Sequence, residues 1–245
     1  VEQVAADARS TAAYYDRVAA EYDQQVDGLP VNRILRDGFR AHVSRLAGAS
    51  GAILDFGCGT GSDADWYAGR GHHVVAYDTS AGMLEVLRAR CAAEIADGRV
   101  VPVAGALREL EATLEGLPPV SAVAANFAVL NHFEDLAPLF RLLRRYLAPN
   151  GAVIASLLNP WYRGDWSHRW WWGALLRSLE TGRITARAEV TTHRHFIRSV
   201  RRMAGPQLAV TDVADIDGSG WRSHRRVTWR STSAPFLFVE LRPRA

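Results

Sequence analysis

The chain has 245 residues, 48% apolar and 22% charged, which fits a globular protein with a sizeable core and excludes a disordered or fibrous one. Its longest apolar-rich run, 120–130, is interrupted by Asn126 and is too short to span a bilayer, and the opening VEQVAADARS lacks the basic start and apolar centre of a secretory signal. Cys58 and Cys91 are too few for a disulfide framework and stand in no metal-ligand spacing, so a cytoplasmic protein without a structural metal is expected.

In chain order, residues 1–30 read as a helical arm, with Tyr15, Val18, Ala19 and Tyr22 on one face, broken by Asp27, Gly28 and Pro30. A helix over 31–47 follows, with Leu35, Phe39, Val43 and Leu46 at helical spacing. Strands and helices then alternate. Strands are expected at 52–56, 73–78, 99–103, 120–126 and 152–158, the third at an edge or strand end because of Pro102. Helices are expected near 62–69, 80–93 and 135–147, with a turn at Asn150-Gly151. Such alternation implies a parallel, doubly wound sheet.

Regularity fails from Asn159 to about Thr192. A helix over 193–204 and strands at 207–213 and 236–241 complete the reading, with the basic loop GSGWRSHRRVTWRSTSA between the two strands. Charge changes along the chain. Residues 1–150 carry 14 Arg against 19 Asp and Glu, a net of −5, whereas residues 151–245 carry 15 Arg against 7, a net of +8. Five of the eight tryptophans fall between 161 and 172, so the later part is both basic and aromatic. There is no lysine; all 29 basic residues are arginine.

LDFGCGTGSD, residues 54–63, places glycines between an apolar strand and a helix start. In a doubly wound fold this loop lies where ligands bind. Gly57 and Gly59 would let backbone approach a ligand closely, and the helix start favours an anionic or polar group. A dinucleotide fingerprint, G-x-G-x-x-G, would put its third glycine at Ser62, but here it falls at Gly61, which favours a different ligand. Asp78 ends the second strand and is suited to accept hydrogen bonds from ribose hydroxyls.

The ordered blocks ILDFGCGTG, VVAYDTSAGML, AVAANFAVLNHFEDL and LAPNGAVIASLLNP resemble class I S-adenosylmethionine-dependent methyltransferases of the small-molecule type. YYDRVAAEYD is similar to the arm that such enzymes fold over the cofactor. The resemblance implies a Rossmann-like, seven-stranded, mostly parallel sheet with helices on both faces and a C-terminal antiparallel strand. It implies one methyltransferase domain over 1–245: arm 1–30, cofactor-binding core 31–158, a Trp/Arg-rich lid 159–192, and final helix and strands 193–245. Carried over by residue, it implies that Asp55, Gly57, Cys58, Gly59 and Gly61 hold the methionine moiety and Asp78 the ribose. Thr79 and Met83 would flank ribose and adenine, with Ala106 and Leu107 beside the adenine. Asn126, Phe127 and Ala128 would line the sulfonium side, and Tyr14 and Tyr22 would close the pocket. Two departures stand out: GALRE lacks the acidic residue that often meets the adenine amine, and Val120-Ser121 replaces a frequent Phe-Asp.

Methyl transfer is an in-line displacement that depends on positioning, with a base needed only where the acceptor must lose a proton. His132, just after the fourth strand, is the first candidate base, since an ordinary imidazole titrates near about 6.5. Asn131, Trp161, Trp166 and His195 are candidates for substrate contact, while His193 and His195 also fit an ordinary helix start. The 159–172 segment reads first as a small satellite core with arginine at its rim, then as a cover for an aromatic or anionic substrate, and last as a weak membrane-surface contact. The function expected is methyl transfer from S-adenosylmethionine to a small molecule, with S-adenosylhomocysteine as product. RNA methylation, suggested by the basic later half, and a non-catalytic cofactor-binding regulator are the alternatives.

Overall fold

Short strands of almost wholly apolar residues set the centre of the molecule. The computed structural model describes residues 2–224 and 233–244, so the 225–232 part of the basic loop lies outside the described residues. The arm is α1 (Glu2–Val18) and α2 (Tyr22–Asp27), followed by α3 (Pro30–Ala47). Then come β1 (Ile53–Phe56), α4 (Ser62–Ala68), β2 (Val74–Asp78), α5 (Ala81–Arg90), α6 (Ala92–Ala96), β3 (Val100–Ala104), α7 (Leu107–Glu115), β4 (Val120–Ala125), α8 (Ala137–Tyr146) and β5 (Leu147–Leu158). The remainder is α9 (Arg169–Thr181), β6 (Arg183–Arg187), β7 (Thr191–His195), α10 (Ile197–Ala204), β8 (Leu208–Asp217), β9 (Gly220–Ser223) and β10 (Phe236–Pro243).

The main sheet runs β3-β2-β1-β4-β5-β10-β8-β9. The first five strands are parallel, and β10 lies antiparallel between β5 and β8. β3 is an edge strand, as Pro102 suggests. The sheet has eight strands among the described residues rather than seven, because Gly220–Ser223 in the basic loop adds β9 against β8.

Alternate residues of each strand feed two cores. Leu54, Phe56, Val123 and Ala125 pack under α7, α8 and α10. Ile53, Ala122 and Ala124 pack with Leu35, Phe39 and Val43 of α3 and with Leu84 and Leu87 of α5. Burial on both faces explains why these strands carry so few polar residues.

Several local expectations change. Asn150-Gly151 does not end an element; it lies in an irregularity within β5, where Val120 pairs with Leu147 but Ala122 pairs with Ala152. Residues 191–195 form β7, paired with β6, so His193 and His195 sit on a strand rather than at a helix start. Helix α7 was not expected, although Leu107, Leu110 and Leu114 have helical spacing and the last two are buried. No helix among the described residues is long and apolar enough to cross a membrane.

Candidate active site

The strand order reverses between β1 and β4, and beyond their carboxyl ends lies a cavity of about 750 Å³. The arm covers it by four attachments. Asp16 Oδ1 accepts from Ser80 Oγ at 2.6 Å and from the Gly82 N–H at 2.9 Å. Thr60 Oγ1 donates to Asp23 at 2.6 Å, and Arg90 pairs with the same carboxylate. Asp27 pairs with Arg36 at 3.0 Å. Tyr15 Oη lies 3.2 Å from His132 Nε2.

The three glycines of the loop share a positive φ but have different surroundings. A Cβ at Gly57 would fall 2.5 Å from the Val129 methyls, and one at Gly61 would fall 2.6 Å from Leu87 Cγ. At Gly59 the nearest atoms, Met83 Sδ and Tyr22 Cε1, are 3.9 Å away. Gly57 and Gly59 line the cavity, whereas Gly61 does not and is needed for packing against α5.

Asp78 lines the same floor and ties it together. Oδ2 accepts from the Gly59 N–H and Oδ1 from the Ser80 N–H, each at 2.9 Å. A carboxylate has about four lone-pair sites, so both oxygens keep capacity for a further donor. Burial raises the Asp78 pKa, opposed by the backbone hydrogen bonds from Ser80 and Gly59. Cys58, Thr79, Met83 and Tyr22 complete this end of the cavity.

Below the loop lies a buried ionic cluster. Asp63 Oδ1 accepts from Arg40 Nε at 2.6 Å and from an Arg36 terminal nitrogen at 3.1 Å, and Oδ2 accepts from Asn126 Nδ2 at 3.0 Å. Burial alone would raise Asp63, but the two guanidinium groups hold its pKa below the usual value. Asp55 is opposite in character. Burial first, then the Asp63 charge, pushes its carboxyl well up, and its Oδ2 has no hydrogen-bond partner. Asp55 is buried at 2% exposure and is not on the cavity wall.

At the end of β4 the chain takes left-handed backbone at Phe127 and Ala128, with φ of 48° and 65°. Side chains without glycine's freedom adopt this region at a cost of order 1 kcal/mol or more. Asn126 supports it by accepting from the Phe127 N–H at 2.9 Å, and Ser156 Oγ accepts from the Ala128 N–H at 3.2 Å. The kink puts Asn126 and Phe127 on the cavity wall, with the Arg36 guanidinium 4.6 Å from the Phe127 ring centroid, while Ala128 turns into the interior. A 3₁₀ turn, Val129–His132, then brings His132 to the cavity. Burial lowers the His132 pKa and the nearby His193 adds to this, partly offset by the Thr191 backbone. Burial pushes the Tyr15 phenol up to about 12, with Asp78 adding to the effect.

Other expected residues lie elsewhere. Tyr14 is off the wall; Tyr15, one position on, faces the cavity beside Tyr22 with ring centroids 6.1 Å apart. Ala106 is exposed ahead of α7, and Leu107 packs toward the core. Asn131 is fully buried and spends both ends of its amide, donating to His193 O at 2.7 Å and accepting from the Leu158 N–H at 2.9 Å. His195 bonds the Phe133 carbonyl at 2.9 Å and burial lowers its pKa to about 4, so it stays neutral and holds the loop behind the cavity.

Trp161 and Trp166 also fall outside the cavity wall. They pack against Trp171, which is 2% exposed and joins Ala174, Ile184 and Phe196 in a satellite core. The insertion reaches the cavity through its hairpin instead, with Arg183 of β6 and His193 of β7. Among the wall residues that the sequence did not single out as site candidates are Tyr15, Arg36, Asp63, Phe133, Arg183 and Arg202.

A family model described as a methyltransferase domain matches residues 31–201. Demethylmenaquinone methyltransferase of Clavibacter sepedonicus is 35% identical over 58% of this chain and 55% of its own length, so the match spans about half of that relative. Ubiquinone biosynthesis O-methyltransferase of Xylella fastidiosa (strain M23) is 26% identical over 83% of this chain and 79% of its own. Among solved structures, the DhpI complex with SAH has a TM-score of 0.60 at 17% identity, covering 96% of each chain. The alternating sheet, the glycine loop with Asp78 and the matched family model lead to one assignment: the chain belongs to the class I S-adenosylmethionine-dependent methyltransferases.

Proposed function

We propose that this chain transfers a methyl group from S-adenosylmethionine to a ring hydroxyl of a small aromatic acceptor of the quinone type. The observation that carries the reading is one continuous cavity joining the Gly59–Asp78 floor to His132. The residues present fit the cofactor. Gly59 leaves open space where a Cβ would intrude, and Asp78 keeps acceptor capacity for two hydroxyls. Gly57, Cys58, Thr79, Met83, Asn126 and Phe127 would hold the rest of it, with Tyr22 closing from the arm. A volume of 750 Å³ suits a cofactor and a modest acceptor together. When bound, S-adenosylmethionine supplies an electrophilic methyl group on a sulfonium.

The chain's own groups then do three things. The loop and Asp78 fix the donor, and Phe133, Val129 and Met203 give the acceptor an apolar seat that excludes water. His132 removes the acceptor proton. Tyr15 Oη, protonated at neutral pH, lies 3.2 Å from His132 Nε2; in the tautomer with the imidazole proton on Nδ1, Nε2 is the acceptor and serves as the base. An acceptor hydroxyl takes the place that the Tyr15 phenol holds. The O-methyltransferase named among the relatives supports an oxygen acceptor, as does a base of this kind.

The Asp78→Ala protein is expected to bind S-adenosylhomocysteine roughly 10- to 150-fold more weakly by calorimetry, the loss of hydrogen bonds to a charged group. Undiminished affinity would remove Asp78, and the ribose placement with it, from the reading.

A further inference from the structure

Beyond His132 the cavity ends in a wall whose charges are unevenly matched. Glu134, Asp135, Arg183 and Arg202 all line it. Glu134 is paired with Arg183. Asp135 Oδ1 accepts the Ala137 N–H at 2.9 Å and so is engaged by the backbone at the start of α8. Arg36, the other cavity arginine, is held by Asp27 and Asp63. Arg202 projects from α10 and has no ion-pair or hydrogen-bond partner among the described residues. Its terminal nitrogen lies 3.4 Å from where a Cβ of Gly182 would stand, next to Arg183 in the chain. Arg183 brings a second unmet donor: its Nε is buried and has no hydrogen-bond partner. The unpartnered Arg202 guanidinium and the unmet Nε of Arg183 thus line the same cavity as the apolar Phe133, Pro138 and Met203.

A guanidinium presents its donors in a fixed fork that matches the two oxygens of a carboxylate or phosphate. An ordinary rim arginine would account for Arg202 alone, but not for a buried unpartnered Nε beside it. We infer that the methyl acceptor carries an oxyanion, bound by Arg202 and steadied by Arg183, at the end remote from the hydroxyl that His132 deprotonates. The wall thereby selects an amphiphilic acceptor, with its ring against Phe133 and Met203 and its anionic group at α10. This inference rests on the methyl-transfer reading above.

The test is calorimetry on protein saturated with S-adenosylhomocysteine, titrated with catechol, with protocatechuate (the same ring bearing a carboxylate) and with catechol monophosphate. At least one of the two anions should bind about tenfold or more tighter than catechol, and which one does so identifies the oxyanion. Arg202→Gln should remove most of that advantage and leave S-adenosylhomocysteine affinity as it was, which also shows that the exposed substitution leaves the fold intact. Equal binding of all three, binding of neither anion, or an advantage that survives Arg202→Gln overturns the inference. Failure of the wild-type protein to bind S-adenosylhomocysteine at all overturns the methyl-transfer reading, and this inference falls with it.

Discussion

Replacing His132 by alanine should lower kcat roughly 10²- to 10⁴-fold, the usual contribution of a positioned general base, without changing the affinity for S-adenosylhomocysteine. The measurement is transfer of a labelled methyl group to protocatechuate by wild-type and His132→Ala protein. Affinity should be spared because His132 is proposed to meet the acceptor, whereas the donor is proposed to rest on Asp78 and Gly59. A pH profile gives an independent check. Burial lowers the His132 pKa below the ordinary value of about 6.5. The imidazole therefore loses its proton at a lower pH than a free histidine, and the neutral form that acts as base already dominates at pH 7. The acidic limb of kcat/KM should fall below about 6.5 in the wild type and vanish in the variant. Unchanged turnover, or a limb that persists in His132→Ala, would take this side chain out of the chemistry.

Asp63→Asn should cost about 3–5 kcal/mol of folding stability, read as a lower urea midpoint. Asp63 is the carboxylate shared by Arg36 and Arg40, whose side chains are themselves buried. Removing its charge strands two guanidinium groups away from water, which costs far more than loss of an exposed ion pair. The linkage has a definite sign. Asp63 has a folded pKa below its unfolded one, so its contribution is complete above about pH 3.9 and is lost as pH falls from there through the depressed folded value. A loss under about 1 kcal/mol would mean that solvent or other carboxylates satisfy the arginines, and that the cluster under the glycine loop is not what holds it in place.

Much of this architecture is readable from periodicity. Apolar runs such as ILDF and VVAYD, separated by helical spacings, specify parallel strands buried on both faces because little else can bury them. The arm shows how periodicity and family likeness can disagree. Helical spacing sets Tyr15 with Val18, Ala19 and Tyr22, and Tyr15 is the residue on the cavity wall, whereas likeness to the family pointed one position away, to Tyr14. A shift of one residue on a helix turns a side chain by about 100°.

Less accessible are features that depend on partners distant in sequence. Glycine spacing cannot tell that Gly59 opens to the cavity while Gly61 makes room for Leu87. Arg36 and Arg40 look like solvated helix positions until Asp63, from another helix, is placed between them. The tryptophans of 161–172 advertise a binding surface by composition, yet Trp171 organises a satellite core, and two short strands, RITAR and TTHRH, carry Arg183 and His193 to the site. Asn131 and His195 were attractive as polar residues near the site. Their hydrogen bonds to His193, Leu158 and Phe133 make them braces instead.

The central claim is that the cavity under the arm is a seat for the methyl donor, and titration of the wild-type protein with S-adenosylhomocysteine in a calorimeter tests it most directly. A saturable heat with one molecule bound per chain is the predicted result. No heat of binding, with the protein folded, would contradict it.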